Sequence, residues 1–244
     1  DMYVTGHELP AVAGYAAPKG NYANMQTNGW EFSIGWNDQI EIAGKNLSYN
    51  IRFSMWDSKS WITKYTSTLG TLPSIYSNNY YEGMRVGEIW GYHVLGLFES
   101  DEEAKSWGAM QTNTFKLSNA NIPMAGDLKF ADLDNSGSIN NGSNTIDNHG
   151  DLTKIGNTTP RYSYGVNLGA NWNNIGVSMF WQGVGQKDWY PAKESSYFWG
   201  HYGRSYGFGL PWQNEDHRWT EQNQDHNAYW PRLRGYSAQW ANGQ

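Results

Sequence analysis

The stretch D-L-D-N-S-G-S-I-N, from Asp132 to Asn140, sets an oxygen-bearing side chain at every second position. Asp132, Asp134, Ser136, Ser138 and Asn140 fall on positions 1, 3, 5, 7 and 9 of an EF-hand-type loop. Gly137 stands at position 6, where such a loop turns sharply. A hard divalent cation draws its oxygens from alternate residues of this kind of turn. Position 12 is Ser143 rather than a bidentate Glu, so the closing carboxylate is expected after an insertion, at Asp147 or Asp151. Asp151 is carried with the other five as the candidate ligand set for a structural calcium. The competing reading is an Asx-rich surface turn without metal.

Other residue types that do chemistry lack the necessary spacing. His217 and His226 sit among acids in E-D-H-R-W-T-E-Q-N-Q-D-H, without the i, i+4 pattern of a zinc protease. Glu102-Glu103 and Glu215-Asp216 are adjacent along the chain, whereas a glycosidase sets two acids facing each other across a substrate. There is no G-x-S-x-G and no P-loop lysine. Cysteine is absent, which removes thiol chemistry, disulfides and cysteine-ligated zinc. The expectation is a protein that is not an enzyme. A net charge of −6 and a pI near 5.5 give no basic footprint for nucleic acid.

Aromatic residues are the second chemical signal. The chain has 14 Trp and 17 Tyr against 8 Phe, a bias toward rings with one dry end and one wet end. Trp189, Tyr190, Tyr197, Phe198, Trp199, Tyr202, Tyr206 and Trp212 crowd into one Gly-punctuated stretch. Flat rings there suit sugar C–H faces or peptide side chains. Trp189, Tyr190, Trp199, Tyr202 and Trp212 are the expected ligand or partner contacts; alternatively, the rings form the loop's own small core.

The elements that carry these groups alternate with a period of two, the signature of strands. Tyr162, Tyr164, Val166, Leu168, Ala170 and Trp172 share one face; Ser163, Gly165, Asn167, Gly169 and Asn171 share the other. Alternation resumes with Ile175, Val177, Met179 and Trp181 after Asn173-Asn174, a pair that tolerates a two-residue hairpin turn. Trp30 to Trp36 predicts a strand, followed by a turn-rich segment from Asn37 to Asn46. Leu47, Tyr49, Ile51, Phe53 and Met55 predict a strand of about ten residues, the length that crosses a bilayer at a tilt. From Trp56 to Pro160 alternation fades, with one helical turn expected over Ser100–Lys105, capped by Ser100. No run of about 18 apolar residues occurs, so no transmembrane helix is expected. No secretory signal opens the chain at Asp1-Met2-Tyr3. A mean hydropathy of −0.73 is compatible with a β-barrel, where only every second strand residue is apolar.

Six ordered motifs resemble those of SusC/RagA-type TonB-dependent outer-membrane transporters. They are N-M-Q-T-N-G-W-E-F-S-I-G-W (Asn24–Trp36), Y-Y-E-G-M-R-V-G-E-I-W-G-Y-H-V-L-G-L-F-E-S (Tyr80–Ser100) and G-D-L-K-F-A-D-L-D-N-S-G-S-I-N (Gly126–Asn140). Then come I-G-N-T-T-P-R-Y-S-Y-G-V-N-L-G-A-N-W (Ile155–Trp172), M-F-W-Q-G-V-G-Q-K-D-W-Y (Met179–Tyr190) and H-R-W-T-E-Q-N-Q-D-H-N-A-Y-W-P-R-L (His217–Leu233). Met84, Ser136, Gln222 and Gln224 depart from the family pattern.

The resemblance implies an all-β fold: an antiparallel transmembrane barrel segment with long extracellular loops. The whole chain, residues 1–244, would be one part of a barrel of about 22 strands around a plug. The plug, the early strands and the last strands would lie outside it, since open strand edges in lipid are costly. It further implies import in the outer membrane of a Gram-negative bacterium. Oligosaccharides or peptides would be captured under a SusD-like surface lipoprotein, with TonB supplying energy through the missing N-terminal part and outer-membrane lipid around the strands. A secreted carbohydrate-binding β-domain with a structural calcium is the alternative, and a glycosidase a third reading for which no acid pair is nominated. The apolar strand faces decide: Tyr164, Val166, Leu168 and Val177 face lipid in the first reading and a dry core between two sheets in the second.

Overall fold

The computed structural model describes residues 2–5, 14, 19–66, 70–73, 79–111, 122–191, 195–202 and 209–234. The chain divides into two compact units. One comprises Asp1–Thr68, Tyr81–Glu88 and Gly156–Trp189; the other comprises Leu69–Tyr80, Ile89–Ile155 and Tyr190–Gln244.

The first unit is a single antiparallel sheet. Its strands are β1 (Met2–Thr5), β2 (Lys19–Ile42), β3 (Lys45–Tyr65), β8 (Arg161–Trp172) and β9 (Ile175–Gln186), in the order β1-β2-β3-β8-β9. Register carries the alternation across strands. Ile34, Phe53, Val166 and Trp181 form one row; Trp36, Ile51, Leu168 and Met179 form the next on the same face. Among the described residues no second sheet dries this face: Ile34 is 59% exposed, Trp36 62% and Val177 52%. The opposite face carries Ser33, Ser54, Gly165 and Gln182 in one row and Asn37, Asn50, Gly169 and Ser178 in another.

Both hairpin turns hold two residues in the left-handed conformation that matches strand twist, Ala43-Gly44 and Asn173-Asn174. The turn at Asn173-Asn174 is the expected one. The turn-rich segment expected over Asn37–Asn46 is instead strand, apart from Ala43-Gly44. β2 has 24 residues and β3 has 21. At about 3.4 Å per residue β2 runs roughly 80 Å, far beyond the ~30 Å hydrocarbon core. β8 and β9, at 12 residues each, match one tilted crossing.

Past the end of β8, residues 83–86 take over as the partner of β3. Ile62 N donates to Met84 O, Gly83 N to Ile62 O, and Val86 N to Ser60 O. Asn157 Nδ2 and Thr159 Oγ1 donate in turn to Val86 O, so two of the family-like motifs lock onto the sheet's extension.

The second unit packs inward. Leu72, Phe98 and Ile139 are fully buried, and Phe130, Trp219 and Trp230 nearly so. Two short pairs lie largely within it, β4 (Glu88–Tyr92) with β7 (Leu152–Asn157) and β5 (Val94–Leu97) with β6 (Leu128–Phe130). Helix α1 (Asp101–Gln111) starts as expected, with Ser100 Oγ accepting from Glu103 N at 3.1 Å, but runs well past Lys105. Gly108 allows this, since a Cβ there would stand 2.8 Å from Pro123 Cγ. The buried Gln111 at its end acts as a surrogate peptide for β6, donating to Leu128 O and accepting from Phe130 N. Helix α2 (Ser196–Trp199) is a single turn. Among the described residues no helix is long and apolar enough to cross a membrane.

Candidate functional site

The loop after β6 brings Asp132, Asp134 and Asp151 together, with carboxylate oxygens within 4.8 Å of one another. Of the two acids nominated to close the loop, Asp151 is the one delivered, and it is fully buried. It accepts from Leu133 N at 2.6 Å, Asp134 N at 3.4 Å and Asn140 N at 2.8 Å. Asp132 accepts from Ser136 N and Gly137 N, at 3.1 and 2.9 Å. Gly137 and Asn135 both have positive φ, which makes the chain double back within the loop.

Three carboxylates this close repel one another, and N–H donors aimed at them offset part of that cost. A hydrogen bond from the Ser136 side chain, then one from its backbone, holds the Asp134 carboxyl below the usual carboxylate range. Burial and then the nearby Asp151 push the Tyr92 hydroxyl up to about 12. Ser138 enters through its carbonyl, which accepts from Ser136 Oγ and Asn140 Nδ2 at 3.1 and 2.6 Å. The donor set is hard oxygen throughout, the type calcium takes.

The aromatic stretch divides. Tyr202 is buried, stacked on Trp230 at 4.8 Å and 14°, with its hydroxyl donating to Pro231 O. Trp199 lies edge-on to Phe198 and Trp230. Tyr202 is therefore a packing residue, while Trp199 packs on its neighbours and stays half-buried. Trp189 at 68%, Trp212 at 47% and Tyr190 at 37% remain exposed. Tyr206 lies outside the described residues. The weaker candidates form no catalytic pair: His217 Nδ1 contacts Asn214 Oδ1, Glu103 pairs with Lys129 at 2.6 Å, and Glu215 with Arg218 at 3.4 Å.

Sequence reasoning missed two buried ion pairs, Asp127–Arg234 in the second unit and Asp57–Arg161 in the sheet. Strict alternation would put Arg161 on the polar face with Ser163. Tyr162, at φ 55°, instead breaks the alternation without shifting the register, since Arg161 pairs Gln186 and Ser163 pairs Val184. The left-handed Tyr162 lets Arg161 reach the face where Asp57 follows Met55. The pair thus ends the apolar face at one edge, and Asp38, 3.5 Å from the Tyr49 hydroxyl, interrupts it near the other. From Trp30, opposite Asp57, to Ile40, in the row of Leu47, Trp172 and Ile175, is ten residues. That is roughly 34 Å of strand, or about 26 Å of height at barrel tilt, against the ~25 Å band of membrane barrels.

A TonB-dependent receptor, P3, of Formosa agariphila is 25% identical over 182 residues, covering 71% of this chain and 16% of the receptor. Over that stretch the chain is similar to part of a TonB-dependent receptor. Its fold matches that of a chain in the structure of the RagAB peptide transporter, with TM-score 0.54, 16% identity, and coverage of 95% of this chain and 22% of that one. The fold is that of an antiparallel barrel segment. The chain spans less than a quarter of the length of either match. No protein-family model matches it.

Proposed function

We propose that this chain is part of an outer-membrane importer of a Gram-negative bacterium. It would take up oligosaccharides captured with a SusD-like surface lipoprotein, with TonB supplying energy. One observation carries the reading: a single-layer sheet bare and apolar on one face, polar on the other, with a band height suited to a bilayer. A secreted binding module would dry that face against a second sheet. The role is transport rather than catalysis; homology to receptors supports it. A peptide cargo is the second reading, favoured by the match to a peptide transporter.

The test is fractionation and uptake with the full-length protein. It should partition with the outer membrane, require detergent, and co-purify with a lipoprotein encoded beside it. Recovery in the soluble fraction would sink the reading. Trp189, Tyr190 and Trp212 are the exposed loop rings assigned to ligand or lid; unimpaired uptake by Trp189→Ala would remove Trp189 from that role.

A structural calcium at Asp132, Asp134 and Asp151, supported by Ser136, Ser138 and Asn140, belongs to the same proposal. Asp132→Ala is expected to loosen the loop after Lys129 and to abolish any rise in melting temperature on adding calcium. A wild-type melting temperature indifferent to chelator would rule the ion out.

A further inference from the structure

The apolar face of the sheet ends at Asp57 and Arg161, and the same face continues past them as a cationic strip. Beyond the Trp30–Asp57 row, Asn28 pairs with Lys59 and Gln26 with Trp61. Arg85 stands opposite Trp61, held there by hydrogen bonds from Ile62 N to Met84 O and from Val86 N to Ser60 O. Paired residues on neighbouring strands share a face, as does every second residue along one strand. Lys59, Trp61 and Arg85 therefore lie on the side that carries Phe53, Met55 and Val166 lower down. The opposite side is packed at this level: Ile62 is fully buried and Met84 nearly so. Lys59, Trp61 and Arg85 are only half-buried.

Charge on the strip is one-sided. Asp57 is the one carboxylate in these rows, and both its oxygens accept from Arg161. Glu88 accepts from the Tyr81 hydroxyl and from the backbone N of Arg85, not from its guanidinium. Among the described residues neither Lys59 nor Arg85 is in an ion pair, and Arg85 Nε is buried without an acceptor. Height matters as much as charge. Lys59, two residues past Asp57, stands about 5 Å above it at barrel tilt, and Trp61 with Arg85 about 10 Å above. Headgroups fill roughly 5–7 Å on each side of the hydrocarbon. Long basic side chains can lay their stems on apolar surface while the charge reaches polar ground. In membrane barrels short turns face the periplasm and long connections the outside. The strip lies at the end away from the turns Ala43-Gly44 and Asn173-Asn174.

We propose that Lys59 and Arg85 bind the phosphate of a phosphorylated outer-leaflet lipid whose acyl chains lie on the apolar face below. The site rests on the outer-membrane reading above and adds a specific lipid class to it. A guanidinium and an ammonium are the donors a phosphate takes, and Arg161 neutralises the one carboxylate that would repel it. An amphiphile fits better than a free anion, because cations and bare apolar side chains are continuous on one face. Trp30 and Trp61 add rings at the level where one end is dry and the other wet.

The experiment uses the full-length protein in detergent, titrated by native mass spectrometry with bisphosphorylated lipid A, with the same lipid dephosphorylated, and with inorganic phosphate. The wild type should bind lipid A more tightly than either of the others. Lys59→Gln and Arg85→Gln should each weaken lipid A about fivefold at an unchanged melting temperature, and together about thirtyfold. Lys59→Arg should bind as the wild type does. Lys45→Gln, on the same face at the opposite end of the sheet, should change nothing. Unchanged lipid A affinity in the double variant overturns the site and leaves the import reading standing. Inorganic phosphate bound as tightly as lipid A overturns the lipid as the source of the phosphate. Loss of a co-purifying lipoprotein from the double variant, with lipid A still bound, would make the strip a protein contact and overturn the site as well. Recovery of the wild type in the soluble fraction overturns both readings.

Discussion

The two units treat the same residue types in opposite ways. In the sheet, Trp36, Ile34, Ile175 and Val177 lie more than half bare. In the second unit, Phe98, Leu72 and Ile139 are wholly buried, and even Trp219 and Trp230 are nearly so. Burying such side chains contributes about 1.5–3 kcal/mol each when the alternative is water. A chain that packs one region tightly and leaves the other bare is built for two solvents. The second unit excludes water by folding on itself. The sheet keeps its apolar face for hydrocarbon, and its one dry polar feature, the Asp57–Arg161 pair, sits where that face ends.

The sharpest test of this difference is the ion pair. Removing one partner leaves the other buried and uncompensated, so Asp57→Ala should cost about 3–5 kcal/mol in urea-induced unfolding of the full-length protein refolded into lipid vesicles. Adding Arg161→Met should recover most of the loss. A cost below about 1 kcal/mol would mean the pair is wet and the sheet has no dry boundary there. A second test compares the two faces at one level. Val166→Arg should cost about 2–4 kcal/mol in the same measurement, and Asn167→Arg, on the opposite face, much less. Equal costs would erase the distinction between a lipid face and a water face.

Legibility in the sequence followed the same division. β8, β9 and the crossing part of β2 and β3 were readable because one face meets hydrocarbon and the other water, which imposes strict alternation. The outer stretches of β2 and β3, such as N-Y-A-N-M-Q-T-N, were not, since outside the apolar band selection for an apolar stripe disappears. Asp132 and Asp134 were readable from spacing; the choice of Asp151 over Asp147 needed the buried turn that delivers it. The position of Arg161 was hidden because a single left-handed residue, Tyr162, reverses the face that alternation assigns. The burial of Tyr202 was not readable because a Trp/Tyr-rich loop has the same composition whether its rings pack on each other or on a ligand.

The smallest expected effect lies in the second unit, at the start of α1. Hydrogen bonding to Lys129, then to the backbone N–H of Glu99, holds the Glu103 carboxyl below its ordinary range. A carboxyl with a depressed folded-state pKa stabilises the fold above its unfolded value, near pH 4.5, and that contribution fades as pH falls through the folded pKa. Because the pair is partly solvated, its size is about 0.5 kcal/mol. Hydrogen exchange at Ala104 and Gly108 should therefore quicken between pH 5 and pH 3 in the wild type, after correction for the intrinsic rate, while Glu103→Gln should be faster throughout and flatter across that window. Glu103→Gln should leave the exchange of Val166 and Leu168 unchanged, because its partner Lys129 lies in the second unit and the sheet's own pair, Asp57–Arg161, is untouched. If both regions soften together, the two units share one stability and the division between them is not energetic.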